Sequence, residues 1–129
     1  MHTTEWEAEG LRQHFHGPVT GTERLSGLSA MLDDPRIARA RYLIIDFTGM
    51  TGIEVTESEA ETLLALMNST LAYANPRVLL VYVADGEVAQ GYLTRVLRIG
   101  PLDHMRCVCE TLSEARAWIA AALAEPAAP

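Results

Sequence analysis

Residues 42–74 read YLIIDFTGMTGIEVTESEAETLLALMNSTLAYA, and the fold turns on how this stretch is read. Tyr42 to Phe47 is apolar except for Asp46 near its end. A strand with one wet face alternates polar and apolar residues, so an unbroken apolar run predicts a strand covered on both faces. Thr48 to Gly52 then reads as a loop of threonine, glycine and methionine. Thr56 and Glu59 stand at the spacing of a capping box, in which each residue satisfies a backbone N–H of the other at a helix start. Behind them Ala60, Leu63, Leu64, Met67, Leu71 and Ala74 follow the i, i+3, i+4, i+7 pattern of a buried helix face, ended by Asn75-Pro76. Strand, loop and capped helix together make half of a parallel crossover unit.

The same grammar extends toward the C-terminus. Arg77 to Ala84 (RVLLVYVA) is a second buried strand, Glu87 to Ile99 a helix stopped by Gly100-Pro101, and Met105 to Glu110 a last strand. Thr111 with Glu114 repeats the capping box, and Ala115, Trp118, Ile119 and Ala122 give the closing helix. Toward the N-terminus, Thr20 with Glu23 is another box, followed by Leu25, Leu28 and Leu32 and a stop at Asp33-Asp34-Pro35. Gly17-Pro18 breaks the strand before it. Thr4–Ala8 and Leu11–His16 alternate about Glu9-Gly10, which predicts a hairpin. Its wet face would carry Arg12, His14 and His16 opposite glutamates. The order β-β-α-β-α-β-α-β-α predicts an α/β fold, with a mostly parallel sheet and one antiparallel N-terminal strand. One domain spans residues 1–125, with 126–129 a frayed tail. The expected core includes Phe15, Leu28, Leu32, Leu43, Ile45, Leu63, Leu64, Met67, Leu79, Val81, Val108 and Ile119.

Composition narrows the function. The chain has 129 residues, 49% hydrophobic and 21% charged, which suits one folded domain. Its formal net charge of -7 opposes binding to a nucleic-acid backbone. All ten of its basic Lys/Arg side chains are arginine, so lysine Schiff-base and P-loop lysine chemistry are excluded. Glu5, Glu7 and Glu9 stand where a signal peptide needs basic residues, and no apolar run reaches the ~18 residues of a membrane span, so a cytoplasmic protein is expected. The sequence has no G-x-S-x-G, G-x-G-x-x-G or G-x-x-x-x-G-K motif, which argues against a hydrolase elbow and a nucleotide-binding loop.

The element order, with IIDFTGMTGIEVTESEAETLLAL at its centre, resembles the STAS and SpoIIAA-like families, whose type members are anti-sigma factor antagonists. In those proteins the central strand enters a loop of the form D-L-S-G-V-x-F-I-D-S-S-G. Asp46, Thr48, Gly49 and Ile53 fall on its acidic, small, glycine and apolar positions. The similarity covers Trp6 to Leu123. GPVTGTERL and EARAWIAAAL look like the SpoIIAA-like branch, which is similar in architecture to lipid-binding CRAL-TRIO domains. The resemblance implies a binding or regulatory module without catalysis, acting on a protein partner or a small apolar ligand. The alternatives are a phosphorylation-switched antagonist and an enzyme of unknown chemistry. The family's D-S-S becomes Glu54-Val55-Thr56, so its phosphorylated serine falls on Val55, which has no hydroxyl. The glycine after it is Glu57. Glu54, Glu57 and Glu59 would repel a phosphate at that helix start.

Other residues invite chemistry, each beside an ordinary structural use. Glu54, Glu57, Glu59 and Glu61 are acid/base candidates, or an acidic first helical turn favoured by the macrodipole. His14 and His16 on one strand face could contribute to a metal site, but lack the spacing of a recognised motif; no metal and no cofactor is expected. Cys107 and Cys109, with His104, suggest a thiol or zinc site, or plain core packing. Alternate strand residues share a face, which places the two sulfurs together but poorly for a disulfide. Asp46 and Asp85 follow strands at the end where α/β folds place ligands, or cap loops. On the third helix, Val88, Tyr92, Val96 and Ile99 form one apolar stripe and Ala89, Leu93 and Leu97 a second. The surplus stripe predicts a homodimer surface, an apolar ligand site, or cover from the fourth helix and the Gly100–His104 loop.

Overall fold

In a computed structural model that describes residues 1–99 and 104–124, a five-stranded sheet carries helices on both faces. The elements are β1 (His2–Trp6), β2 (Gly10–Phe15), β3 (Gly17–Thr20), α1 (Gly21–Asp33), a 3-10 helix (Pro35–Arg39), β4 (Tyr42–Asp46) and β5 (Met50–Glu54). Then follow α2 (Glu57–Leu66), a π-helical turn (Met67–Leu71), α3 (Ala72–Ala74), β6 (Leu79–Val83), α4 (Glu87–Ile99), β7 (Arg106–Cys109) and α5 (Leu112–Ala124). The main sheet runs β1-β2-β4-β6-β7, and only β1 with β2 is antiparallel. The α/β class, the parallel neighbours and the antiparallel first strand match the sequence expectation. The Gly100-Pro101 stop, most of the Gly100–His104 loop and the Pro126–Pro129 tail lie outside the described residues.

The apolar runs behave as their composition demands: every residue of β4 and β6 is buried. On one face Leu11, Phe15, Leu43, Ile45, Phe47, Leu80 and Tyr82 meet helices α1, α2 and α4. On the other Tyr42, Ile44, Leu79, Val81 and Val83 meet Ala115 and Ile119 of α5. Two core expectations are corrected. Leu32 is only half-buried, and Val108 is 49% exposed. The residue paired with Val108 is Tyr82, on the face of α1, α2 and α4, whereas α5, the helix packed on the edge strand β7, covers its other face.

Two further corrections concern short strands. Gly17-Pro18 does break β2, since Gly17 has φ of 66°, but the chain re-enters extended structure at once. The later part of the stretch read as a loop, Thr48 to Gly52, belongs to β5 together with Ile53 and Glu54, and β3 and β5 pair in parallel as a separate two-stranded sheet. Strands this short draw their stability from tertiary context, and neither carries an alternating pattern long enough to show in the sequence.

One glycine fixes how the opening hairpin meets α5. Gly10 lies opposite Tyr42 in the β2–β4 register, and a methyl group on Gly10 would overlap the Tyr42 ring. That ring's hydroxyl donates to Glu7, whose two oxygens also accept from Arg116 of α5 at 2.7 and 2.6 Å. The Arg116 hydrogen bonds, against the opposing effect of burial and with help from Tyr42, hold the Glu7 carboxyl down at about 2. Gly10→Ala should therefore destabilise the fold by about 1–3 kcal/mol, the usual range for overpacking, measured by urea unfolding. An unchanged midpoint would show that the ring moves aside freely.

Candidate functional site

The small β3–β5 sheet places two helix starts side by side. β3 leads into α1 through Thr20, and β5 leads into α2 through Val55 and Thr56. Thr20 Oγ1 accepts from the Glu23 N–H at 3.2 Å, and Thr56 Oγ1 from the Glu59 N–H at 3.1 Å. Only the second box closes both ways, as Glu59 Oε1 accepts from the Thr56 N–H at 2.9 Å. Glu23 turns instead to the N-terminal ammonium, 2.8 Å away. The Glu59 carboxylate also lies directly over Gly21, the first residue of α1, where any Cβ would displace it. One carboxylate thus sits against the positive ends of both helices, the position an anion would take.

Around it is an open depression of about 410 Å³ lined by Thr20, Gly21, Thr22, Glu54, Val55, Thr56 and Glu59. Glu54, Thr56 and Glu57 are exposed. Val55 is buried, and its carbonyl accepts from Arg95 at 3.4 Å. The sequence picks out Glu54, Val55 and Thr56 but misses Thr20 and Gly21, which a parallel pairing of β3 with β5 brings to the same surface. The signal was the Thr20–Glu23 capping box, whose place beside the Thr56–Glu59 box depends on that pairing. Glu61 is exposed on α2, away from the lining of this depression.

Asp46, Thr48 and Gly49 form a separate arrangement at the end of β4. Asp46 is 0% exposed. Its Oδ2 accepts from Arg12 Nε at 3.0 Å and Nη2 at 2.7 Å, and its Oδ1 from the Thr48 N–H at 2.9 Å and from the Thr48 hydroxyl. Burial pushes this carboxyl up, but the Thr48 and Arg12 contacts outweigh it and hold the group below the ordinary aspartate value. Gly49 turns the chain with φ of 78°. Arg12, expected to face glutamates, lies 3.8 Å from Glu5 and is committed mainly to Asp46. This is a structural knot at the exit of the central strand, with each partner already engaged. Asp85 is exposed.

The remaining candidates separate. His14 bonds the Thr48 carbonyl through Nε2 at 2.7 Å, and the His14 and His16 rings are 5.1 Å apart. Among the described residues, no group of three or more His, Cys, Asp or Glu side chains is placed to hold a metal ion. Cys107 and Cys109 are free thiols on one strand face, their sulfurs 3.3 Å apart. Burial, then the neighbouring Cys107, pushes the Cys109 thiol up to about 11, far from a reactive thiolate. His104 is buried beside the Asn75 carbonyl, 3.2 Å from Nε2.

The surplus stripe of the third helix is corrected. Ala89, Tyr92, Leu93 and Val96 are all buried in this chain's own core, Leu97 is half-buried, and Val88 alone is exposed. The reason is that α4 packs against β5 and α2 as well as covering the sheet, so most of both stripes finds cover within the chain. Sequence reading also misses Arg24, which is buried among Phe15, Phe47 and Tyr92 with its Cζ 4.8, 5.2 and 5.9 Å from their centroids. Its Nε donates to the Tyr92 hydroxyl at 3.3 Å.

Two solved structures are similar over most of the chain. The anti-sigma factor antagonist SpoIIAA, in its unphosphorylated form, aligns with a TM-score of 0.57 and 16% identity, over 93% of this chain and 98% of SpoIIAA. An uncharacterized protein of the DUF3478 family with a SpoIIAA-like fold, from Shewanella loihica, aligns with a TM-score of 0.56 and 15% identity, over 92% of each chain. The fold is thus SpoIIAA-like. No family profile and no curated protein matches the sequence. Among the described residues no helix is long and apolar enough to cross a membrane.

Proposed function

We propose that this chain is a non-catalytic regulatory module of the cytoplasm, which recognises a protein partner through the face built from β3–α1 and β5–α2. It works without a phosphate switch at Val55. The observation that carries this reading is the Glu59 carboxylate lying across both helix starts, above a buried Val55. In the fold this chain shares with SpoIIAA, the resemblance puts the acceptor serine at Val55. Here the side chain has no hydroxyl, and a carboxylate of the protein already holds the anion position. The anion position is filled by the protein's own side chain rather than by an added phosphate. Its shallow, open form suits a protein surface better than an enclosed apolar ligand.

Two measurements test the reading. Incubated with ATP and an anti-sigma kinase of the STAS partner class, the wild type should take up no phosphate on this loop by mass spectrometry. Val55→Ser should gain only weak acceptor activity, because Glu54 and Glu57 still repel the incoming charge. Phosphate on Thr56 would overturn the unswitched reading and revive the antagonist one. Titration of the labelled protein with the same kinase domain should shift amide resonances at residues 20–22 and 54–57. Shifts confined to another face would move the docking site.

A further inference from the structure

The chain carries a net charge of -7, yet four of its ten arginines gather where the parallel strands begin, at the end of the sheet opposite β5–α2. Arg36 and Arg39 come from the 3-10 helix, Arg41 directly precedes β4, and Arg77 lies just ahead of β6. Arg36 is taken up locally: it bonds both oxygens of Asp34 and its Cζ stands 4.4 Å over the Trp6 ring. Arg41 reaches Glu9 at 3.3 Å, at a rim where both side chains are about half exposed. Among the described residues, no carboxylate lies within ion-pair distance of Arg39 or Arg77. Both are exposed.

Arg39, Arg41 and Arg77 line one open depression of about 400 Å³, together with Ala38, Ala40, Asn75 and Leu123. Its frame is pinned in place. The Asn75 amide donates to the Ile37 carbonyl at 2.9 Å and to the Ala40 carbonyl at 2.6 Å, tying the chain before β6 to the 3-10 helix that carries Arg39. The Asp34 side chain caps that helix by accepting from the Arg36 N–H at 2.9 Å. The frame fixes the backbone from which these side chains extend, and their planar guanidinium forks match carboxylates in pairs.

We infer that this depression is a second recognition surface, which takes an acidic segment of a protein partner. Three features favour a protein segment over a small anion. The depression is shallow, and Leu123, Ala38 and Ala40 give it an apolar floor for side chains that flank a carboxylate. It lies at the N-terminal ends of the parallel strands, whereas small ligands of α/β sheets sit at the carboxyl ends. The Asn75 amide is spent on backbone carbonyls, so the site offers guanidinium forks rather than the converging N–H groups of a phosphate cradle. The negative charge of the rest of the molecule would repel acidic chains elsewhere and leave this end as their point of attraction. The proposal stands independently of the β5–α2 face.

The test uses the full chain and a short fluorescein-labelled peptide of alternating glutamate and leucine, followed by fluorescence anisotropy at low and physiological salt. The wild type should bind this peptide, more weakly as salt rises, and should not bind the counterpart with glutamine for glutamate. Arg39→Glu combined with Arg77→Glu should weaken binding at least about tenfold, with an unchanged unfolding midpoint because both side chains are exposed. Arg39→Lys with Arg77→Lys, which keeps the charge and loses the forks, should fall between the two. Equal binding by wild type and the double glutamate variant would overturn the proposal, as would no binding at all. Binding of inorganic pyrophosphate without the peptide would also overturn it, and assign the depression to a small anion.

Discussion

Arg12→Ala is expected to cost about 3–5 kcal/mol of folding stability, the range for removing one partner of a buried ion pair. The side chain lost is the one that reaches diagonally from β2 to Asp46 on β4, and Asp46 has no access to water. Thr48 would still donate to one carboxylate oxygen, but the charge on the other would be left without a cation. Calorimetry should show a fall in Tm of about 10–20 °C for a domain of this size. Replacing Asp46 by Asn in the same variant should recover part of the loss, since it removes the stranded charge. The effect also has a pH signature. The Asp46 carboxyl is held below its ordinary value of 3.8, so its ionised form stabilises the fold above that value and the contribution disappears as pH falls through the lower folded value. The cost of Arg12→Ala should therefore shrink in acid below about 3.8 in urea titrations. A cost that stays constant through that range would mean that Arg12 matters for packing alone.

Phe47→Ala is expected to be as damaging, at about 3–5 kcal/mol, for a different reason. Phe47 is 0% exposed, and its ring lies 5.8 Å from Phe15, 6.5 Å from Tyr82 and 5.7 Å edge-on from Tyr92. The Arg24 guanidinium stands 5.2 Å from the same ring. Truncation opens a cavity and removes one wall around a buried cation. Phe47→Leu keeps much of the volume and loses the ring, so it should cost less, about 1.5 kcal/mol. Urea midpoints for the two variants separate volume from ring geometry. Equal losses would show that the ring contacts carry the whole effect, and a neutral alanine variant would contradict the packing described.

The legible part of this protein is the part written in local rules. YLIIDF suits a strand covered on both faces, because its length is that of a strand and no wet face can be drawn on it. Thr20, Thr56 and Thr111 each accept from the N–H of a glutamate three residues on, as their spacing requires. Cys107 and Cys109 share a face because strand periodicity leaves no alternative. What escaped was decided between segments. β3 and β5 exist because they pair with each other, and neither sequence announces the other. Arg12 reads as the partner of nearby glutamates until β2 is known to lie beside β4 rather than at an edge. The two apolar stripes of α4 seem one too many until β5 and α2 are placed against it. Val108 errs the other way: its residue type suits a core, while its strand ends the sheet.

The candidate site follows the same division. Glu54, Val55 and Thr56 were visible because a resemblance marked them. Thr20 and Gly21 were not, since nothing along the chain joins residue 20 to residue 56. Arg39 and Arg77 come together through Asn75, whose two hydrogen bonds have no sequence signature.

The small β3–β5 sheet has a consequence for how this surface is able to change over evolutionary time. Because it splices two distant stretches of chain into one face, a change in one stretch is felt at the other. Any side chain larger than hydrogen at position 21 meets the tip of the flexible Glu59 side chain, so a change at one helix start re-seats the carboxylate that belongs to the other. A single substitution in either stretch therefore alters the charge presented by both helix starts at once.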